Sequence, residues 1–485
     1  MLQGARWRAV LQVMQQLLSV LATMVLARLL HPADFGVAAA AMSMLAFFYL
    51  ASAFGFGASI VRRTVVEESH LRSILAANLI AAFVLTIGGV LAAPLVARLI
   101  GIPHASLAIA AIMPSMIMVA VGGVSEALLL RQLRFQAMSL LGIGATVAYV
   151  AVELGLAALG FGYWSVVLGF LAMQLLQNVG FVVLAGWRPR LASPGRAFRQ
   201  DGRFSGQFFV DELLHYFNKN LDYWLVGGLL GAPALGTYYI AYTLPSIVRL
   251  RFSAVVRSVV FPVFSRLRGD RDKSQRLYVA VMGLQAAVGI PTMLGLAVVA
   301  EPVVHVFFGA QWADSVNPMR WIALAAALDL LSTVLPQAAM AFGLMHRNVF
   351  AAAGRAICFA IALGVAAFGS LDLTEVAVAV FISSLAGLVL SQWLIGAPIG
   401  FRLGPWVGAC VRVCVISAAM AAIVTGVLEL AYRSGASDLA ALVVAVPAGV
   451  LSYVVLGAVF ARREFRTYLN GIQHILGVRR VSSRV

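Results

Sequence analysis

Long apolar runs recur along the whole chain, with most of the charge confined to the segments between them, and this constrains the fold more than any motif. Val10 to Leu30 is such a run, and comparable ones follow to the end of the sequence. A helix needs about 20 apolar residues to cross the roughly 30 Å hydrocarbon core of a bilayer, and about 35 once its connecting turn is included. On that scale 485 residues accommodate about fourteen crossings. Composition agrees: 62% of residues are hydrophobic and 11% charged, where a soluble domain carries roughly 25% charged residues. A single aqueous core cannot hide that much apolar surface. The expected class is an all-α integral membrane protein of about 14 transmembrane helices, with no room for a soluble catalytic domain.

The net charge of +16 does not point to nucleic acid. No basic run is long enough for a DNA-binding arm, and no recognition helix lies outside the apolar segments. Cys358, Cys410 and Cys414 all fall inside apolar stretches and read as small core hydrophobes, so neither a disulfide framework nor a metal site is expected. Arg6 and Arg8 precede the first apolar run, but that run is too long for a signal-peptide core and lacks a convincing cleavage site. It reads as the first span.

Charge, Gly and Pro bound the spans near 9–30, 35–61, 74–100, 106–131, 139–159 and 162–187. A second set follows near 205–230, 235–263, 277–300, 316–345, 347–369, 374–398, 405–429 and 438–461. With a cytoplasmic N-terminus, 25 of the 35 Lys and Arg residues fall on the cytoplasmic side and only Arg28, Arg98 and Arg433 on the other. By the positive-inside rule both termini are cytoplasmic.

The sequence also repeats itself. Ala27-Arg-Leu-Leu-His-Pro-Ala-Asp-Phe-Gly36 and Gly227-Gly-Leu-Leu-Gly-Ala-Pro-Ala-Leu-Gly236 align without a gap at an offset of 200 residues. Each places Leu-Leu, a Pro-bearing turn and Gly at a hairpin on the non-cytoplasmic side. Six spans separate them, an even number, so the halves share one orientation. Parallel repeats about an axis along the membrane normal follow, as in alternating-access transporters. The expected organisation is an N-terminal lobe at 1–187, a cytoplasmic linker at 188–204, a C-terminal lobe at 205–400, and two extra spans with a basic tail at 401–485.

These residues resemble a known family. Leu26 to Gly36, Gly55-Phe-Gly57 with Arg62-Arg63, Asn218-Lys-Asn-Leu-Asp222 before the Gly231–Gly236 turn, and Phe261-Pro-Val-Phe264 are similar to Wzx-type polysaccharide flippases. Those belong to the multidrug/oligosaccharidyl-lipid/polysaccharide (MOP) exporter superfamily. The resemblance covers essentially the whole chain. It implies two six-helix lobes plus two C-terminal helices, in a bacterial inner membrane. It also implies transport of undecaprenyl-pyrophosphate-linked repeat units to the periplasmic leaflet for exopolysaccharide, capsule or O-antigen assembly. Membrane lipids, polysaccharide polymerase and export machinery are the expected partners, and a monomer the expected state.

Charges inside spans mark where a site is affordable, since an ionisable residue at mid-bilayer costs at least about 2.5–3.5 kcal/mol. Span eight carries Tyr242, Ser246, Arg249, Ser253 and Arg257 at steps of four, three, four and four, one face of a helix. Arg251 faces another direction. Guanidinium suits phosphate because it stays charged and offers forked donors. Two compatible readings stay open: this face lines a wet cavity, or its arginines pair with acids on span seven. On that span His215, Lys219 and Asp222 share a face. Asp222 is either a counter-ion or a group that titrates during transport. Arg320 stands near the outer end of span ten and Asp329 near its middle. Arg355 and Arg412 lie near cytoplasmic span ends and are expected to snorkel. In the first lobe Gln12, Gln15, Gln16, Ser19 and Thr23 form a polar stripe that binds sugar hydroxyls or glues helices. Glu126 and Glu153 are its buried acids, and Arg28 beside Asp34 reads as structural.

The candidate substrate cavity therefore comprises Tyr242, Ser246, Arg249, Arg251, Ser253 and Arg257, with Lys219, Gln12, Gln16 and Arg320. Asp222, His215 and Asp329 are candidates for coupling or counter-ion roles. No Walker, zinc or nucleophile-elbow pattern occurs, so no enzyme activity, cofactor or metal is expected. Two relatives of the mechanism are alternatives. A multidrug cation antiporter is expected to bury acids, whereas here intramembrane Arg and Lys dominate the second lobe. A lipid II flippase is expected to concentrate arginines in the first two spans, where this chain has only Arg28.

Overall fold

The computed structural model describes residues 2–52, 60, 67–187, 190, 195–267, 270–369, 371–402 and 404–460. Within these, the side chains of 2–10, 12–13, 50–52, 195–215, 217–219, 251, 254–255, 257–259, 405–406 and 409 lie outside the description. The described chain is helical throughout its spans. In order the helices are α1 Leu2–Leu29, α2 Pro32–Ser52, α3 Glu68–Leu99, α4 Ala105–Ile112, α5 Ser115–Arg131, α6 Phe135–Ala158 and α7 Trp164–Ala185. There follow α8 Gly195–Arg266, α9 Arg271–Val298, α10 Ala300–Phe307, α11 Val316–Ser332, α12 Val334–Phe342, α13 Met345–Ala366, α14 Leu373–Ser391, α15 Ala397–Ile399, α16 Gly404–Arg433 and α17 Asp438–Phe460.

Twelve helical segments among the described residues are long and apolar enough to cross a membrane. Helix α1 adds the shorter apolar stretch Met14–Leu29, and one of the twelve, Asn220–Leu250, straddles a break in α8. Counting its two arms separately gives about the fourteen crossings expected. The chain is a multi-pass membrane protein. Its apolar residues confirm the solvent: Phe83, Val84, Ile87, Leu91 and Leu95 of α3 stand outward and exposed, as a lipid-facing surface requires. The first arm of α8 begins at Gly195, ten residues before the expected 205.

Contacts divide the chain into two compact units, residues 1–239 and 240–485. In the first unit α8 breaks at Gly231, whose φ of 82° and ψ of −178° are accessible at low cost only to glycine. The repeated hairpins meet just beyond it. A Cβ on Gly36 would lie 1.8 Å from the carbonyl oxygen of Ala232, and one on Gly236 would lie 1.9 Å from that of Pro32. Adding 200 to 32 and 36 gives 232 and 236, so these are one contact viewed from either side of a local two-fold. Small residues four apart let the two helices touch backbone to backbone, which explains the Pro-, Ala- and Gly-rich repeat more specifically than a general turn preference. Asp34 completes the corner by accepting the Tyr163 backbone N–H at 3.1 Å, at the positive N-terminal end of α7.

In the second unit, α16 and α17 are built into the core. Met420, Val424 and Leu428 pack with Ala441, Leu442, Ala445, Val299 and Val303, and Tyr453 donates to the Ala287 carbonyl at 2.6 Å. Asp270 caps α9 by accepting the Lys273 N–H at 3.0 Å. Hydrogen bonding to Lys273 holds this exposed carboxyl below its ordinary range. Helices α11 and α12 are separated at Thr333, three residues before Pro336, which has no N–H to continue the ladder and crowds the preceding turn. Gln285 repairs the gap, donating to the Leu330 carbonyl at 2.8 Å and the Thr333 hydroxyl at 2.6 Å.

Because neither carbonyl at the repeated hairpins can move without breaking its helix, Gly36→Ala and Gly236→Ala should each cost about 1–3 kcal/mol or more from overpacking. Gly88→Ala, which meets nothing within 4 Å, serves as the neutral control. Thermal unfolding of the purified protein reads the difference, and equal midpoints for all three would contradict the contact.

Candidate functional site

The only described carboxylate shared by two arginines lies in the second unit. Arg249 is at the middle of the second arm of α8, Asp329 is in the last turn of α11, and Arg355 is ten residues into the 22-residue α13. At 1.5 Å per residue Arg355 is about 15 Å from its helix start, half the thickness of the hydrocarbon core. Asp329 binds Arg355 through both carboxylate oxygens, with Nη1 to Oδ1 at 2.7 Å and Nη2 to Oδ2 at 3.4 Å. Arg249 approaches Oδ2 only to 4.0 Å. The Arg355 Nη2 also donates to the Ser384 hydroxyl of α14 at 3.0 Å, and its aliphatic stem lies against Gly387, where a Cβ would meet Cδ at 3.0 Å.

The charge balance of this cluster is one carboxylate against two guanidinium groups. On distance alone the attraction at 4.0 Å is about two-thirds of that at 2.7 Å, and the longer contact lacks a hydrogen bond. Arg355 therefore holds the hydrogen-bonded share of the carboxylate, and Arg249 is the more weakly answered of the two among the described residues. The end of α11 at Thr333 adds carbonyl dipoles beside Asp329, which favour cations at a helix C-terminus. Side-chain exposures of 25% for Arg249, 15% for Asp329 and 28% for Arg355 show that none is sealed away. An anion reaching Arg249 would displace little.

The expected site residues divide into groups. Asp329 is a counter-ion, to arginines of α8 and α13. Ser253 is buried at 4% with its hydroxyl unpartnered among the described residues, while Tyr242 and Ser246 are half-buried. The side chains of Arg251, Arg257, Lys219, His215 and Gln12 lie outside the described residues, as do Gly55 to Gly57 and Arg62-Arg63. Asp222, in the first unit, is 8% exposed. It accepts the Tyr238 hydroxyl at 2.9 Å and the Tyr223 N–H at 3.0 Å, fastening the hairpin around Gly231. Gln16 is half-buried on α1, and its neighbour Gln15 donates to Thr146 of α6 at 3.3 Å, which is the gluing role. Glu153 is buried and accepts the Tyr149 hydroxyl. Arg320 stands nine residues, about 13 Å, along α11 from Asp329, paired with Glu301 at 3.4 Å and Asn317 at 3.0 Å.

Sequence reasoning placed Arg355 near a cytoplasmic end and expected it to snorkel. The structure corrects this: α13 begins at Met345 and ends at Ala366, so Arg355 is at its midpoint and too deep to reach water along its own helix. Ser384 and Gly387 were missed because a lone Ser or Gly in an apolar run carries no signal until its neighbour is known.

Comparison with known proteins follows the same line. A family model described as polysaccharide biosynthesis protein matches residues 25–317, more than half of the chain. This chain belongs to that family. Among curated members of related function, it is 28% identical over 64% of its length to the succinoglycan biosynthesis transport protein ExoT of Rhizobium meliloti, covering 63% of that protein. It is 23% identical to the lipopolysaccharide biosynthesis protein WzxC of Escherichia coli, over 69% of this chain and 68% of that one. The teichuronic acid biosynthesis protein TuaB of Bacillus subtilis matches at 23% over 83% of each chain. Among solved structures, the inward closed form of the lipid II flippase MurJ superposes with a TM-score of 0.78 at 14% identity, covering 94% of this chain and 99% of that one. An inward-facing MATE multidrug transporter of the MOP superfamily gives 0.60 at 14% identity, covering 81% and 98%. These likenesses establish the fold that this member of the polysaccharide biosynthesis family shares with them.

Removing Asp329 strands two guanidinium groups inside the membrane, so Asp329→Ala should destabilise the protein by roughly 3–5 kcal/mol. Adding Arg355→Met to that variant should recover much of the loss. Thermal unfolding of single and double variants checks this, and an additive double variant would contradict the pairing.

Proposed function

We propose that this chain flips a polyprenyl-pyrophosphate-linked oligosaccharide repeat unit from the cytoplasmic to the periplasmic leaflet of a bacterial inner membrane, for assembly of a surface or secreted polysaccharide. The observation that carries the reading is Arg249, a mid-span guanidinium that shares a single carboxylate with a closer competitor. The relatives are named for succinoglycan, lipopolysaccharide and teichuronic acid, three chemically different glycans. A recognition element common to such cargoes is the anionic lipid-linked end rather than any one sugar. A forked, permanently charged donor in low dielectric suits that end. By its spacing in the sequence, Arg257 falls two helical turns after Arg249. The lipid tail stays in the bilayer, and alternating access carries the headgroup across.

A drug-cation antiporter fits less well, since the cluster around Asp329 carries an excess of positive charge. The MurJ-like fold leaves a lipid II cargo as the second reading, against which stands the presence of Arg28 alone among basic residues in the first two apolar runs, 9–30 and 35–61. The orientation with both termini in the cytoplasm rests on the loop charge asymmetry.

Deleting the gene should abolish a surface or secreted polysaccharide and leave its lipid-linked precursor accumulating inside. Unchanged polysaccharide with heightened dye sensitivity would favour drug export. Arg249→Ala leaves the Asp329–Arg355 pair in place, so it should abolish export in a complementation assay without lowering the amount of protein in the membrane. Wild-type export by this variant would remove Arg249 from the site.

A further inference from the structure

The second unit holds a pocket of about 610 Å³ between α9, α10, α11 and α16, within the roughly 300–1,000 Å³ range of small-molecule sites. Its throat is apolar, lined by Leu294, Val298, Leu324 and Leu428, and its mouth is charged. Arg320 projects there with 41% of its side chain exposed, facing Glu301 at 56%, and Glu429 at 63% lines the same pocket, paired with Arg433 at 3.6 Å. Arg320 has five N–H donors, and the bonds described for it use only Nη1, to Asn317, and Nη2, to Glu301. Trp321 and Tyr432 also line it, and these residue types concentrate at the headgroup level of bilayers, where one end of the ring is apolar and the other wet. Loop charge asymmetry assigns this end of the spans to the periplasmic side.

We infer that this pocket binds one zwitterionic aminophospholipid from the outer leaflet. Its phosphate meets Arg320, its primary ammonium lies between Glu301 and Glu429, and an acyl chain fills the throat. Charge selects this class. An anionic phospholipid would bring net negative charge to a mouth whose two carboxylates are already balanced by two guanidinium groups, Arg320 beside Glu301 and Arg433 beside Glu429, and a soluble phosphate would leave the apolar throat empty. A trimethylated headgroup has the charge but no N–H to donate to the carboxylates. Since the walls come from α9, α11 and α16, the bound lipid joins the C-terminal pair of helices to the body of the unit.

The test is native mass spectrometry of the full-length protein, delipidated in mild detergent and offered equal amounts of phosphatidylethanolamine, phosphatidylglycerol and phosphatidylcholine with identical chains. One phosphatidylethanolamine should be retained in preference. Glu301→Gln with Glu429→Gln should lower that preference about five-fold, the scale of a rim ion pair. Thr425→Trp, which fills the pocket without altering charge, should lose the bound lipid. Equal or better retention of phosphatidylglycerol by the unaltered protein, or undiminished retention in Thr425→Trp, would overturn the assignment. So would displacement of the lipid by geranylgeranyl pyrophosphate, which would give the pocket to a cargo tail instead.

Discussion

A single carboxylate divided between two guanidinium groups is the interaction on which the middle of this molecule turns. Asp329 binds Arg355 at 2.7 Å and leaves Arg249 at 4.0 Å, although all three are placed where water is scarce and each unpaired charge is costly. Among the described residues, two arginines and one aspartate do not reach neutrality. The excess is tolerable only if something mobile and negative can answer it, whether solvent ions or a cargo. Four helices meet at this point, α8, α11, α13 and α14, so whatever binds Arg249 alters the charge balance of all of them.

The backbone around the cluster is shaped accordingly. Helix α11 stops one turn beyond Asp329, and Gln285 satisfies the carbonyl and hydroxyl exposed there. Broken helices at mid-membrane are tolerated where protein or a wet cavity covers them, and their ends bring concentrated dipoles to a site without adding titratable groups. The first unit uses its polar residues differently. Asp34, Asp222 and Gln15 each hydrogen-bond within hairpins or to neighbouring helices.

Much of this was legible in the sequence because the bilayer imposes simple rules. Spans follow from apolar length alone. The 200-residue repeat was visible as a pattern, but its cause was not: the reciprocal seating of Gly36 on Ala232 and Gly236 on Pro32 depends on a backbone approach that no residue type encodes alone. The mid-span charges Arg249 and Asp329 were found because charge in an apolar run is conspicuous. Of the two open readings for the span-eight arginines, pairing named acids of span seven, whereas Arg249 meets Asp329 of span ten, since sequence periodicity tells which face a residue occupies and not which helix faces it. Arg355 was misplaced for a related reason. The expected span already put it about eight residues from its start, and what charge spacing alone does not give is the Asp329 partner on a neighbouring helix that holds it there.

The weakly answered charge on Arg249 is tested most directly by ligand binding to the purified protein, comparing farnesyl pyrophosphate, farnesyl phosphate and farnesol at fixed ionic strength. Affinity should fall in that order, and Arg249→Ala should weaken pyrophosphate binding by about ten-fold or more, the scale of one charge-assisted hydrogen bond, while leaving farnesol unchanged. Equal pyrophosphate affinity in the two proteins would show that Arg249 is answered from within and holds no cargo.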